Sequence, residues 1–127
     1  MQNLIKDFLK EKRFAVVGSF RNETKYAYKI LKALKDKGYE VYPVNPRLPE
    51  VEGLKCHPDV TSIPVKVNVV DIVTPPAVTE KIVKECKSNG IKRIWMQPGA
   101  ESVEAIKFCR DNGMDVIHGL CVMLESV

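Results

Sequence analysis

Apolar residues recur along this chain with two different rhythms. Leu4, Ile5, Phe8 and Leu9 return at helical spacing, which predicts a short amphipathic helix over residues 2–11. Phe14-Ala15-Val16-Val17-Gly18 is an unbroken apolar run closed by glycine, the pattern of a strand buried on both faces over 14–18. Ala27, Ile30, Leu31 and Leu34 restore the helical period, with Lys25, Lys29, Lys32 and Lys35 turned elsewhere and Gly38 as the stop. A second strand is read over 40–44. Residues 45–64 hold Pro46, Pro49, Pro58 and Pro64 and keep no period, so they read as an irregular crossover with one short strand near 54–56. Residues 67–73 form the most apolar strand and belong at the centre of a sheet. Pro75-Pro76 then suits a helix start, because the first N–H groups of a helix have no partner within it. Val78, Ile82, Val83 and Cys86 are expected to face the core, and Gly90 to end that helix. A strand over 91–96 follows, then a helix marked by Val103, Ala105, Ile106 and Cys109 and stopped at Gly113. A last strand is read over 114–117, with one helical turn over 120–124.

Three helices therefore end in a glycine that leads straight into a strand: Lys37-Gly38, Asn89-Gly90 and Asn112-Gly113. Strand–helix–strand repetition calls for right-handed crossovers and a parallel sheet with helices on both faces. The expectation is an α/β fold of three layers around about five parallel strands.

The length of 127 residues suits one domain over 1–127, since a chain of this size buries about two-thirds of its surface on folding. Its 45% hydrophobic and 28% charged residues exclude a disordered polyampholyte. No apolar run approaches the ~18 residues of a membrane span, and no signal-peptide core follows Met1. Cys56, Cys86, Cys109 and Cys121 are far apart with no C-x-x-C pair, which reads as reduced thiols in a cytoplasmic protein. The net charge of +4 is uneven: up to Arg47 there are eleven Lys/Arg against five Asp/Glu, and after it nine against eleven. Few aromatic residues accompany the cations, so a stacking surface for nucleic acid is not indicated. A compact polyanion such as a nucleotide fits the cationic first third better.

In an open parallel sheet, ligands bind beyond the carboxyl ends of the strands. Those ends are Gly18-Ser19-Phe20-Arg21-Asn22, Asn45-Pro46-Arg47, Thr74-Pro75-Pro76, Gln97-Pro98-Gly99-Ala100 and His118-Gly119-Leu120-Cys121. The first resembles a phosphate loop, with a glycine closing a strand before a helix whose free N–H groups favour an anion. It is not G-x-G-x-x-G: Ser19, Phe20, Arg21, Asn22, Glu23 and Thr24 follow Gly18, with no second glycine. Arg21 and Lys25 are candidates to meet phosphate with side chains, or are two solvated cations. At the end of the second strand an NAD site usually carries Asp or Glu for the ribose 2′-hydroxyl, whereas here stands Asn45-Pro46-Arg47. An arginine there suits a phosphate on the ribose, which points to NADP or coenzyme A.

Five stretches in order carry a resemblance: Ala15-Val16-Val17-Gly18-Ser19, Val41 to Pro46, Val70 to Pro75, Ile94 to Gly99, and Gly113 to Ile117 with Cys121. The chain resembles the small stand-alone coenzyme A-binding proteins, whose domain is similar to the nucleotide-binding domain of the succinyl-CoA synthetase alpha subunit. The resemblance implies a Rossmann-like domain holding coenzyme A, or an acyl-CoA, across its carboxyl edge. It implies Gly18, Ser19 and Arg21 by the phosphates, with Phe20 and Lys25 in the same loop. Asn45, Pro46 and Arg47 would lie by the adenosine and its 3′-phosphate, Thr74 and Pro75 by adenine or ribose, and Gln97, Pro98 and Gly99 beside the pantetheine arm. The synthetase's phosphorylated histidine lies in a region with no counterpart here, so the expectation is a binding module rather than an enzyme. An NADP-binding reductase or sensor, and an interaction domain with no small ligand, are the alternatives.

Cys121 follows the last strand, at the edge where a pantetheine thiol would arrive; a mixed disulfide and an inert thiol are both open readings. His118 with Cys121 falls short of the three or four ligands of a zinc site. Asp71 reads as a hydrogen-bonded structural aspartate or a base, Cys86 and Cys109 as small hydrophobes, and Trp95 as packed in the sheet. Tyr26 and Tyr28 flank the helix after the phosphate loop, either over the ligand or on the surface. The partner expected is a small molecule, without nucleic acid or membrane.

Overall fold

The computed structural model describes residues 2–22 and 25–126. Its elements are α1 (Gln2–Leu9), β1 (Arg13–Gly18), α2 (Tyr26–Asp36), β2 (Glu40–Val44), β3 (Glu50–Val51), β4 (Leu54–Lys55), β5 (Val69–Val73), α3 (Pro76–Ser88), β6 (Arg93–Met96), α4 (Val103–Asp111), β7 (Asp115–His118) and α5 (Val122–Glu125). Five strands form one sheet in the order β2-β1-β5-β6-β7, and every neighbouring pair is parallel. The chain leaves β1 for β2 on one side and returns to β5 on the other. This reversal puts the switch point, the usual place for a ligand, between the carboxyl ends of β1 and β5.

Side chains alternate across each strand, so the apolar runs feed two cores. Phe14, Val16, Val69, Trp95 and Ile117 pack with Ile5 and Phe8 of α1, Ile30, Leu31 and Leu34 of α2, and Val122 of α5. Ala15, Val17, Val70, Ile72, Ile94 and Met96 pack with Ile82, Val83 and Cys86 of α3 and Ala105 and Cys109 of α4. The three layers expected from the sequence are therefore present. Trp95 lies in the sheet as expected: it is fully buried, meets Phe8 edge-on at 6.1 Å, and donates Nε1–H to the Leu120 carbonyl at 2.8 Å.

The predicted elements are all present, with shifted ends. α1 stops at Leu9 and β5 starts at Val69, each two residues inside the expected range, and β7 runs to His118. Gly90 takes φ +72°, the left-handed conformation that lets α3 stop. One core assignment fails: Val78 is 41% exposed. Val103, which opens α4, is 78% exposed. Thr79 takes the inward place in α3, because its hydroxyl finds partners in Thr74 Oγ1 (2.8 Å) and the Pro75 carbonyl (3.3 Å). Val103 merely follows Ser102, which caps α4 by accepting from the Ala105 N–H at 3.0 Å. The single short strand expected near 54–56 is instead one arm of a β3–β4 hairpin. Its turn residues Glu52 and Gly53 have φ of +52° and +73°. The hairpin is pinned to α2 by Tyr28, which donates to Glu52 Oε1 at 2.6 Å.

The outer edge of β2 is closed by His57, whose N–H donates to the Pro43 carbonyl and whose carbonyl accepts from the Asn45 N–H, both at 2.9 Å. Pro43, lacking an N–H, is tolerated in β2 because that side of it faces the edge and not β1. Among the described residues no helix is long and apolar enough to cross a membrane.

Candidate functional site

Five parallel strands bring their carboxyl ends to one rim, and hydrogen bonds stitch the loops of that rim together. Gly18 ends β1 against α2: a Cβ placed on it would lie 2.6 Å from Ala27 Cβ and 2.8 Å from the Val73 carbonyl oxygen. Only a glycine lets α2 begin this close to the sheet. Asn45, just past β2, donates Nδ2–H to the Gly18 carbonyl at 2.7 Å. Its Oδ1 accepts the Arg47 N–H at 2.8 Å, an Asx turn that fixes where the arginine leaves the backbone. The loops carrying Arg21 and Arg47 are thereby tied across the β1–β2 corner.

Ser19, Arg21, Pro46 and Arg47 are exposed at this corner and Lys25 is half-buried. Lys25 precedes α2 and its side chain makes no capping hydrogen bond. Glu23 and Thr24 lie outside the described residues. Phe20, placed by the sequence with the ligand-facing loop, turns inward: it is 4% exposed and packs in the α1–α2 core, holding the loop from beneath.

Beside the switch point, Val73, Thr74, Pro75, Pro98, Gly99 and Ala100 line an open groove of about 290 Å³. The resemblance implies different parts of a ligand for Thr74-Pro75 and Pro98-Gly99; the fold makes them two walls of one groove. The Gly99 N–H donates to Glu101 Oε2 at 2.9 Å.

Gln97 sits on the rim in sequence and below it in space. It is fully buried. Its Nε2 donates to Asp71 Oδ1 at 2.5 Å, and its Oε1 accepts the Val122 N–H at 3.1 Å and lies 3.4 Å from the Tyr26 hydroxyl. Its side chain braces β5, β6 and α5 and is not open to a ligand. Asp71 is the hydrogen-bonded aspartate expected in β5, but its Oδ2 has no partner. Burial pushes its carboxyl up to about 8, against a smaller opposing effect of the Gln97 hydrogen bond. Tyr26 is half-buried, and its hydroxyl donates to Cys121 Sγ at 2.6 Å. Burial first, then the Cys121 contact, hold the phenol well above its ordinary range.

Sequence reasoning did not find this Asp71–Gln97–Tyr26–Cys121 chain. Its signal was a polar residue inside an apolar strand (Asp71) and another at the end of the neighbouring strand (Gln97), which need each other once buried. Among the described residues no group of three His, Cys, Asp or Glu could hold a metal ion.

The model of the CoA binding domain matches residues 12–126, and this chain belongs to that family. It is 36% identical over 81 residues to an ADP-forming acetate–CoA ligase of Methanocaldococcus jannaschii, covering 64% of this chain but 12% of the ligase. It is 30% identical to the uncharacterized protein YneT of Bacillus subtilis, covering 96% of this chain and 94% of that one. Among solved structures, a conserved hypothetical protein of Pyrococcus furiosus shares 44% identity and superposes with a TM-score of 0.86 over 90% of this chain and 98% of that chain. The fold is the Rossmann-like α/β type that the resemblance implied.

Proposed function

We propose that this chain binds coenzyme A or an acyl-CoA along the carboxyl rim, as a binding module. The observation that carries the reading is the β1–β2 corner, where the Asn45 side chain ties two loops bearing Arg21 and Arg47. The donors there suit a ligand with phosphates at two places. Arg21, Lys25 and the start of α2 would take the pyrophosphate, and Arg47 the phosphate on the ribose. Ser19, Gly18 and the Asn45-Pro46 turn would complete the corner. The groove between Thr74-Pro75 and Pro98-Gly99 offers a less polar path for the remainder of the ligand. When bound, coenzyme A supplies a thiol or thioester; the residues of the rim supply charge, backbone and shape. Membership of the CoA-binding domain family supports the same ligand. The titratable groups under the rim, Asp71 and Tyr26, are bound into the buried chain, which supports binding over turnover.

Arg47→Ala is expected to cost about 1.5–3 kcal/mol of coenzyme A affinity and to leave dephospho-coenzyme A nearly unaffected, because only the former carries the 3′-phosphate. Calorimetric titration of both ligands into wild type and variant checks this. Equal losses for the two would remove Arg47 from the 3′-phosphate. Tight binding of NADP with none of coenzyme A would replace this reading with the NADP alternative.

A further inference from the structure

We propose that Glu101 is a specificity-determining residue of the rim groove, selecting acyl-CoA thioesters whose acyl group carries no negative charge. The inference rests on the coenzyme A reading and deepens it by naming the class of acyl group.

The groove between Thr74-Pro75 and Pro98-Gly99 lies past the ends of β5 and β6, the strands next after β1 across the sheet. With the phosphates held at the β1–β2 corner, the pantetheine arm runs along the rim and brings the thioester to this groove. Val73, Pro75, Pro98 and Ala100 give its walls apolar surface. Two polar groups of the lining are already engaged. The Thr74 hydroxyl shares a hydrogen bond with the buried Thr79 hydroxyl at 2.8 Å. The Gly99 N–H, at a residue with φ +95°, donates to Glu101 Oε2 at 2.9 Å. Glu101 is half-buried, and this bond fixes its carboxylate against the groove wall. Among the described residues no ion pair involves Glu101. The nearby Glu80 carboxylate accepts from Ser102 Oγ at 2.7 Å and brings no opposite charge.

The rim therefore has opposite signs at its two ends: Arg21, Lys25 and Arg47 at the corner, Glu101 at the groove. A ligand with phosphates at one end and an uncharged thioester at the other matches this arrangement. A carboxylate at the tip of the acyl chain meets the same sign in a partly desolvated place. It also competes for an N–H that Glu101 already holds by a charge-assisted bond. An uncharged acyl group avoids both penalties and gains apolar contact, so the groove discriminates by repulsion as well as by fit.

The test is calorimetry with coenzyme A and three thioesters of it. Butyryl-CoA is uncharged at the acyl end, succinyl-CoA has a carboxylate in place of the methyl group, and β-alanyl-CoA ends in an ammonium. The wild-type protein is expected to bind butyryl-CoA about fivefold more tightly than succinyl-CoA at low salt. The ratio should shrink to less than about twofold in 0.5 M salt, where the charges are screened. β-Alanyl-CoA is expected to bind no more weakly than butyryl-CoA. Glu101→Gln keeps an oxygen for the Gly99 N–H and removes the charge. Its melting curve reports that it folds, and it should remove most of the preference at low salt. Equal affinities of the wild type for butyryl- and succinyl-CoA would overturn the role of Glu101. So would a preference that survives Glu101→Gln or extends to β-alanyl-CoA, since either assigns it to the cost of desolvating any charge. In all those cases coenzyme A still binds and the binding reading stands. Absence of binding by coenzyme A and by all three thioesters would overturn both readings.

Discussion

Asp71→Asn is expected to abolish most of a loss of stability that the wild-type protein suffers between about pH 4 and pH 8. Asp71 is fully buried, and its carboxyl is raised from 3.8 to about 8, chiefly by burial. Below pH 4 the group is protonated in folded and unfolded chains alike, and its contribution is fully present. Between the two values only the unfolded chain ionises and sheds its proton. The folded state then binds more protons, so stability falls as pH rises, and levels off above about 8. At 1.36 kcal/mol per unit the whole fall is on the order of 5 kcal/mol. Asparagine keeps the shape and the acceptor for Gln97. Its amide stands where the protonated carboxyl already holds an unpartnered hydroxyl, so the variant costs little in acid. Denaturant midpoints measured from pH 4 to pH 9 for both proteins give the difference directly. Parallel curves would mean that Asp71 is ionised in the folded protein and that its Oδ2 has a partner after all.

The second large effect concerns the start of α2. Gly18→Ala should destabilise the protein by about 1–3 kcal/mol, the usual cost of an added carbon in a filled space. The new Cβ would stand 2.6 Å from Ala27 Cβ and 2.8 Å from the Val73 carbonyl oxygen, neither of which is the movable tip of a long side chain. For a chain of this size the melting temperature drops roughly 4 °C per kcal/mol. Relief requires α2 to lift away from β1 and β5, which moves Lys25 and the loop bearing Arg21. Affinity for coenzyme A should therefore fall by about tenfold along with stability. The steric cause is separable from a general weakening of the strand. Ala27→Gly alone costs about 1 kcal/mol as a glycine within a helix, but in the Gly18→Ala background it removes the nearest clash and should cost less. Additive effects in that double-mutant cycle would deny the contact its role.

Much of the fold was legible because the signals are local. Residues 14–18 and 67–73 are short, mostly apolar runs that suit a strand covered on both faces, and Ile30, Leu31 and Leu34 mark one side of α2 without reference to anything distant. Val78 misleads for the same reason: an apolar residue at helical spacing reads as inward. Thr79 displaced it because a hydroxyl with two partners can be buried, and those partners belong to the chain just before the helix. The β3–β4 hairpin was half seen because two-residue strands carry almost no periodicity. Its place is fixed by Tyr28 and Lys35 of α2, which reach Glu52.

The site divides similarly. Polar and glycine-containing turns after apolar runs were enough to gather Gly18, Ser19, Arg21, Asn45, Pro46, Arg47, Thr74, Pro75, Pro98 and Gly99 at one rim, since all parallel strands end on the same side. Which rim residues face outward was not contained in that argument. Phe20 and Gln97 share their loops with exposed neighbours, yet both are sunk in the protein.

By itself, then, the order of residues determined an alternating α/β chain, a rim of loops and a cationic corner, because helix period, strand burial and glycine stops act over a few residues. Tertiary structure decided the strand order, the sealing of Asp71 under Gln97, and the meeting of Tyr26 with Cys121 across 95 positions. Those contacts exist only once packing has brought distant segments together, and the free energy of burial, summed over two cores, selects them.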